Sequence, residues 1–181
     1  ETARQTTRFM VDLFKVSDPS EALGNSITAR EILDKGAARI ESELAGQPVI
    51  QATLMDTMGT VYTSLGLYDS ALPLVKQALE KRRALSGSQS PEIAQTLGTL
   101  GEVLTLKAEY EEAETRLREA LAIRKALYGE SSAEGAETLS DIHVLKFRSL
   151  EAQHVERPEI EQAGHDQIRE LLDAHVVDVD T

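Results

Sequence analysis

The stretch YDSALPLVKQALEKRRALSGSQSPEIAQTLG, residues 68–98, decides the fold because it returns 42 residues later. Residues 110–140 read YEEAETRLREALAIRKALYGESSAEGAETLS, and 13 of the 31 aligned positions are identical without a gap. Two unrelated amphipathic helices would share a period of 3.6 residues, but not the turn residues as well. The sequence therefore contains an internal repeat. The identical pairs are Tyr68/Tyr110, Ala71/Ala113, Ala78/Ala120, Leu79/Leu121, Arg82/Arg124, Ala84/Ala126, Leu85/Leu127, Gly87/Gly129, Ser90/Ser132, Glu92/Glu134, Ala94/Ala136, Thr96/Thr138 and Leu97/Leu139.

Each repeat is predicted to form two antiparallel helices. In the first helix of each unit, apolar and small residues fall on one helical stripe: Met55, Met58, Gly59 and Tyr62, then Leu97, Leu100, Gly101 and Leu104. The second helix buries a matching set: Ala71, Val75, Ala78 and Leu79, then Ala113, Leu117, Ala120 and Leu121. The small residues let the paired helices approach closely.

Capping residues mark where these helices begin and end. Ser90 followed by Pro91 is an N-cap residue with proline at the first helical position. Gly87 and Gly129 stand where a left-handed residue is expected to end each long helix.

Residues 1–48 are predicted to form a degenerate helical pair before two full repeats over residues 49–130. A helix over residues 4–16 is expected to bury Phe9, Met10, Leu13 and Phe14. The run from Thr28 to Glu31 resembles a capping box that opens the next helix, whose predicted buried face is Ala29, Ile32, Leu33, Gly36, Ala37 and Ile40.

Residues 131–181 are interpreted as a partial third repeat, with Leu139, Ile142 and Leu145 turned inward. Ile160, Ile168, Leu171 and Leu172 favour an amphipathic capping helix over residues 159–175, and a disordered acidic tail is the alternative. The predicted fold is thus all-α: a right-handed solenoid of antiparallel helix pairs with a C-terminal capping helix.

Composition excludes several classes of function. The net charge of −12 argues against nucleic acid and against an anionic membrane surface. The chain has no cysteine, which excludes disulfides and thiolate sites, and no apolar run long enough to span a bilayer. No signal peptide is visible, and an opening residue of Glu1 suggests a processed product or a piece of a longer protein.

Residues 49–142 resemble the tetratricopeptide repeat. The resemblance lies in the spacing of Leu or Met, Gly and Tyr in the first helix, and of Ala, then Val or Leu, then Ala in the second. The period of 42 residues, with second helices ending in RRALSG and RKALYG, is similar to the kinesin-light-chain subtype. Residues 9–48, continuing into LMDTMGTVYTSLGLYDSA, also resemble a segment of bacterial transmembrane serine/threonine protein kinases. That resemblance implies a sensor or scaffold region of a receptor-like kinase, although the kinase motifs themselves are absent from the sequence.

The tetratricopeptide resemblance implies a binding groove on the concave face built by the first helices. Its exposed positions would be Thr53, Asp56, Thr60, Thr63, Gln95, Gly98, Glu102 and Thr105. Lys, Arg and Asn are missing from these positions, and Asp56-Thr57 and Gly98-Thr99 replace the Asn pair common in kinesin-light-chain units. A neutral to acidic groove would favour a polar or basic protein or peptide partner. In the alternative interpretation these residues are merely solvated, and the domain is a spacer or a homodimer surface.

No residue pattern points to catalysis, a metal or a cofactor. The four histidines, at positions 143, 154, 165 and 175, show no HExxH spacing. The run of Glu109, Glu111, Glu112 and Glu114 suits a helix N-terminus. Serines in the inter-repeat loops are interpreted as caps and turn formers, and no Ser-His-Asp or Ser-Lys arrangement would make one of them a nucleophile. The chain is therefore predicted not to be an enzyme. We expect a soluble segment that is cytoplasmic, or extracytoplasmic if it follows a membrane helix.

Overall fold

The computed structural model describes residues 2–15, 29–87 and 89–155, and all regular structure in these ranges is α-helical. The all-α prediction is therefore confirmed. The chain divides into two compact units, residues 1–142 and 143–181. The helices are α1 Thr2–Lys15, α2 Ala29–Glu43, α3 Pro48–Ser64, α4 Tyr68–Ser86, α5 Pro91–Leu106, α6 Tyr110–Tyr128 and α7 Ala133–Val155.

Helices α3 and α4 form one pair and helices α5 and α6 form the next. A glycine on the first helix of each pair allows the close approach that the sequence predicts. A methyl group built on Gly59 would lie 2.3 Å from Cγ2 of Val75, and one built on Gly101 would lie 2.5 Å from Cδ2 of Leu117. The same contact thus recurs after 42 residues, and the array is a solenoid of helix pairs.

The turns inside the two pairs have the same hydrogen bonds but different residues at the key position. After α3, the amide of Leu67 donates to the carbonyl of Tyr62 at 2.8 Å, and the Gly66 between them has a φ of 73°. After α5, the amide of Glu109 donates to the carbonyl of Leu104 at 2.9 Å. Here the left-handed position is Ala108, with a φ of 61°, which an alanine side chain disfavours.

Between the repeats, the N-cap prediction is confirmed. The hydroxyl of Ser90 accepts a hydrogen bond from the amide of Ile93, and Pro91 opens α5. Gly87 and Gly129 have positive φ values of 76° and 91°, but their ψ values of −151° and 167° are extended rather than left-handed helical. The chain leaves each helix in an extended direction that essentially only glycine adopts.

The N-terminal region, predicted to be a degenerate helical pair, contains the two helices α1 and α2. Leu33, Gly36 and Ile40 of α2 are buried, as predicted, and Ile40 is fully so. Phe9 of α1 is 9% exposed, and the guanidinium of Arg39 lies 5.6 Å from the centre of its ring. Position 28, where the cap is predicted, lies outside the described residues, and nothing is described for the side chains at positions 10, 13, 14 and 29.

Predictions for α7 have mixed outcomes. In the first unit Ile142 is buried, but Leu139 is 40% exposed, so its inward assignment is wrong. The equivalent Leu97 is buried because α6 pairs with α5, whereas no helix follows α7 within the described part of the chain. In the second unit Leu145 is buried as predicted. The predicted capping helix over residues 159–175 lies outside the described residues.

Candidate functional site

Four of the predicted groove residues lie on the outer surface of the first helices. Thr60, Gln95 and Glu102 are exposed, and Thr53 is half-exposed. Asp141 of α7 is also exposed, and its charge acts on Glu102. We call the surface formed by these five side chains the first-helix face.

Three groove residues were assigned wrongly to this surface. Asp56 is 4% exposed, and Thr63 and Thr105 are each 7% exposed. The helical periodicity of the sequence places all three on the same side as the exposed residues. Their side chains are nevertheless buried, because neighbouring helices cover them. Gly98, the remaining position, is half-exposed.

Asp56 is buried because Arg82 of α4 reaches it. Nη1 of Arg82 lies 3.0 Å from Oδ2 of Asp56, and both side chains are at most 10% exposed. The same nitrogen donates to the carbonyl of Glu92, at 2.8 Å, and to the hydroxyl of Thr96. Arg82 therefore ties α3 and α4 to the start of α5.

The ion pair is not fully satisfied. Oδ1 of Asp56 is buried and has no hydrogen-bond partner. Burial raises the pKa of the Asp56 carboxyl, and the attraction of Arg82 offsets this only in part. Asp56 is therefore a structural residue of the first inter-repeat junction and is not available to a partner.

The buried threonines also have a structural explanation. The hydroxyl of Thr63 donates to the carbonyl of Gly59 at 2.8 Å, and that of Thr105 donates to the carbonyl of Gly101 at 2.7 Å. Each side chain satisfies its own helix backbone, four residues earlier, which allows a hydroxyl to be buried.

The next junction repeats the arginine with a different acidic partner. Nη1 of Arg124 lies 2.9 Å from the carbonyl oxygen of Glu134 and 2.7 Å from the hydroxyl of Thr138. Its carboxylate partner is Glu137, at 3.1 Å, which is 68% exposed. The position equivalent to Asp56 is Gly98, so this arginine has no carboxylate on α5 at that position.

The sequence carried a signal for these junctions that the groove assignment overlooked. The three pairs Arg82/Arg124, Glu92/Glu134 and Thr96/Thr138 are all among the repeat identities. Buried polar groups need hydrogen-bond partners, so identical polar residues in a repeat indicate a shared internal contact as readily as a shared surface.

The hydroxyl groups along α3 present mainly acceptor atoms outward. Each donates its proton to the backbone carbonyl four residues earlier, at 2.8 to 3.1 Å, and the residues concerned are Thr53, Thr57, Thr60 and Ser64. A hydroxyl has one proton and two lone pairs, so the atoms left for an external ligand are acceptors. This favours a ligand that supplies hydrogen-bond donors.

Carboxylates dominate the rest of the first-helix face. Although the Glu102 side chain is exposed, desolvation by the surrounding protein raises the pKa of its carboxyl, and the charge of Asp141 raises it further. The pKa of Asp141 is raised by partial burial and then by Glu137, while Arg124 acts in the opposite direction. These carboxylates repel one another, and a cation placed among them would relieve that repulsion.

Other candidate groups have structural roles or lie outside the described part of the chain. In the glutamate run, Glu112 pairs with Lys76 and Arg116, and Glu114 pairs with Arg118. His143 is exposed, and nothing is described for the side chains of the other three histidines. Within residues 2–15, 29–87 and 89–155, no group of His, Asp and Glu side chains is arranged to hold a metal ion. None of the described helices is long and apolar enough to cross a membrane.

Comparison with known proteins finds a matching repeat family and a similar solved structure. Residues 50–126 match the tetratricopeptide repeat family. The crystal structure of BtubC (BKLC) from P. vanneervenii is similar, with a TM-score of 0.56 and 19% sequence identity, over 95% of this chain and 74% of that one. No curated protein sequence matches the chain. Tetratricopeptide repeats generally mediate protein–protein interaction.

Proposed function

We propose that this chain is a protein-interaction module whose first-helix face binds a polar or basic segment of a partner. The observation that supports the proposal is that Glu102 and Asp141 are both exposed on that face and that the charge of Asp141 acts on Glu102. Desolvation raises the pKa of both carboxyls, and a neighbouring carboxylate raises each further, whereas Arg124 lowers the pKa of Asp141. The hydroxyl oxygens of Thr53 and Thr60 on α3 also favour a ligand that supplies hydrogen-bond donors.

Peptide binding to the full chain tests this proposal. Three labelled peptides of equal length would alternate alanine with lysine, serine or glutamate, and we expect affinity to fall in that order. The double variant Glu102→Lys with Asp141→Lys should weaken binding of the lysine peptide by about tenfold or more.

A control variant separates the first-helix face from net charge. Glu80→Lys with Glu111→Lys makes the same charge change at exposed positions of the second helices α4 and α6. It should alter the affinity by no more than about twofold. An equal loss for both double variants would mean that net charge, rather than the first-helix face, governs binding.

We further propose that the module belongs to a larger bacterial signalling protein, such as a receptor-like serine/threonine kinase. Support comes from the resemblance of residues 9–48 to the segment that follows the membrane helix in such kinases. On that proposal the module would lie outside the cytoplasm. Independently of it, the 42-residue period supports repeats of the kinesin-light-chain subtype. The sequence encoded upstream of residue 1 tests the kinase proposal, because a membrane helix preceded by kinase motifs is required.

We assign no catalytic step to this segment. The threonine hydroxyls of the face donate to their own helix backbone, so none of these is activated by a neighbouring base.

A second candidate function is homodimerisation or a role as a rigid spacer. The exposed apolar residues of α7 favour it, since such residues often mark an interface. Light scattering over a range of concentrations decides between monomer and dimer, and a monomer throughout would exclude homodimerisation.

A further inference from the structure

Gly98 is a glycine that helix packing does not require. It lies in the middle of α5 with a helical backbone, where glycine is less stable than alanine. Packing does require Gly59 and Gly101, because a methyl group at either position would overlap a side chain of the paired helix. A methyl group at Gly98 would lie 3.9 Å from Nη2 of Arg124, its nearest neighbour among the described residues, and would therefore fit. Packing within the described part of the chain thus gives no reason for a glycine at position 98.

The space over Gly98 is bounded by two longer side chains of the same helix. Gln95 lies three residues before it and Glu102 four residues after it, so all three share one side of α5. Both of these side chains are exposed, and Gly98 itself is half-exposed. We call the space over Gly98, between Gln95 and Glu102, the Gly98 gap. A glycine allows the main chain of a ligand to approach a helix backbone closely.

We propose that the main chain of the partner segment crosses α5 through the Gly98 gap and places a lysine or arginine side chain beside Glu102. This inference rests on the proposed function and adds where the bound segment runs. Gly98 and Glu102 are about one helical turn apart, roughly 6 Å along the axis, which the flexible four-carbon stem of a lysine spans. One partner residue can therefore occupy the gap with its main chain and reach Glu102 with its cation.

Arg124 supplies a hydrogen-bond donor beside the gap. Its Nη1 atom donates to the carbonyl of Glu134 and to the side chains of Glu137 and Thr138, which hold the guanidinium in place. Its Nη2 atom is the one nearest to Gly98. Guanidinium nitrogens donate and do not accept, so the group that Nη2 would bind is an acceptor, such as a main-chain carbonyl.

Charge favours a neutral carbonyl over a carboxylate at this position. Glu137 already pairs with Arg124, at 3.1 Å. The charge of Asp141 acts on Glu102, and the charges of Glu137 and Arg124 act on Asp141, so these four groups form one electrostatic cluster. Three carboxylates and one guanidinium leave a net negative charge, which repels an added anion and attracts a cation. A main-chain carbonyl with a cationic side chain on the same residue suits both parts of the cluster.

Substitutions that fill the gap test this inference in the full chain with the lysine peptide. Gly98→Ala should weaken binding by about threefold and Gly98→Leu by at least about tenfold, because the added side chain keeps the peptide main chain away from α5. Gly98→Ala should meanwhile raise the melting temperature, so its loss of affinity cannot come from unfolding.

Gly46 provides the matched control. It is exposed between α2 and α3, and a methyl group there would meet no atom within 4 Å among the described residues. Gly46→Ala and Gly46→Leu should alter the affinity by less than about twofold. Equal losses for the Gly98 and Gly46 variants would overturn the inference, since the loss would then not depend on the gap.

The remaining outcomes separate this inference from the proposed function. If the natural chain binds the lysine peptide and Gly98→Leu binds it equally well, the inference alone is overturned. If the natural chain does not bind the lysine peptide, the proposed function is overturned and the inference with it.

Nuclear Overhauser effects measure the contact directly. In the natural chain saturated with the lysine peptide, the Hα protons of Gly98 should show effects to Hα protons of the peptide, and those of Gly46 should show none. Effects from Gly98 to lysine side-chain protons alone would overturn the main-chain crossing, as would the absence of any effect at Gly98.

Discussion

Arg82 and Arg124 lie 42 residues apart, and each hydrogen-bonds a glutamate carbonyl and a threonine hydroxyl at the start of the next first helix. They differ in their carboxylate. Arg82 pairs with the buried Asp56 of the preceding helix, whereas Arg124 pairs with the exposed Glu137 of the following one. The two inter-repeat junctions are therefore built alike but differ in how much charge they bury.

This difference predicts unequal effects of removing the two arginines. Arg82→Met leaves the Asp56 carboxylate buried without a cation, which should lower the free energy of unfolding by about 3–5 kcal/mol. Arg124→Met removes hydrogen bonds to Glu134 and Thr138 but leaves no carboxylate buried without a cation, because Glu137 is solvated, so we expect a loss of about 1–1.5 kcal/mol. Urea unfolding of the two variants measures both values. Equal losses would contradict the assignment of Asp56 as the decisive partner.

Asp56 also predicts a pH dependence with a definite sign. Its pKa is raised in the fold by burial, so it contributes stability that is present below its ordinary value of 3.8 and is lost as the pH rises through the raised value. Relative to Asp56→Asn, the natural chain should therefore gain stability as the pH falls from neutral towards 4.

Asp69 provides the control of opposite sign in the same pH titration. Its hydrogen bond with Lys107 lowers its pKa, so its contribution is present at neutral pH and is lost as the pH falls. Relative to Asp69→Asn, the natural chain should lose stability over the same range. The same sign of change for both comparisons would contradict the assigned roles.

Close packing at Gly59 and Gly101 predicts that alanine is harmful at both positions. The added methyl groups would overlap Val75 and Leu117, and such overpacking typically costs about 1–3 kcal/mol, more than the helix propensity gained. Gly98→Ala is the matched control, because its methyl group would lie 3.9 Å from Arg124, its nearest neighbour. That variant should gain about 0.5–1 kcal/mol. Thermal unfolding of the three variants gives the comparison, and a gain at all three glycines would refute it.

The two turns predict a reciprocal pair of substitutions. Ala108→Gly should raise the free energy of unfolding by roughly 1 kcal/mol, because an alanine in the left-handed region is strained. Gly66→Ala places the same strain in the first repeat and should lower stability by a similar amount. The calorimetric melting temperatures of both variants test this, and a loss for Ala108→Gly would show that its positive φ carries no strain.

How far the sequence predicts this molecule depends on whether a contact is local. The helix pairs, the Ser90 cap and the close approach at Gly59 follow from periodicity and from residue chemistry within one repeat. The burial of Asp56 does not, because it requires Arg82, which lies 26 residues away on another helix. Helical phase describes the direction of a side chain and leaves its depth undetermined.

Leu139 also shows that the sequence pattern does not determine whether a side chain is buried. It is identical to Leu97 in the repeat alignment, yet one is 40% exposed and the other fully buried. A repeat predicts the stripe that a helix offers to its neighbour, but the neighbour itself must be present to cover it.

The carboxylate that pairs with each arginine comes from a different helix in the two repeats. In the first repeat, Asp56 of α3 pairs with Arg82 inside the protein and is buried. In the second repeat, the carboxylate partner of Arg124 is Glu137 of α7, and the position on α5 that is equivalent to Asp56 is Gly98. On the proposed function, Glu102 of α5 and Asp141 of α7 would therefore contribute more to recognition of a partner than the residues of α3 would.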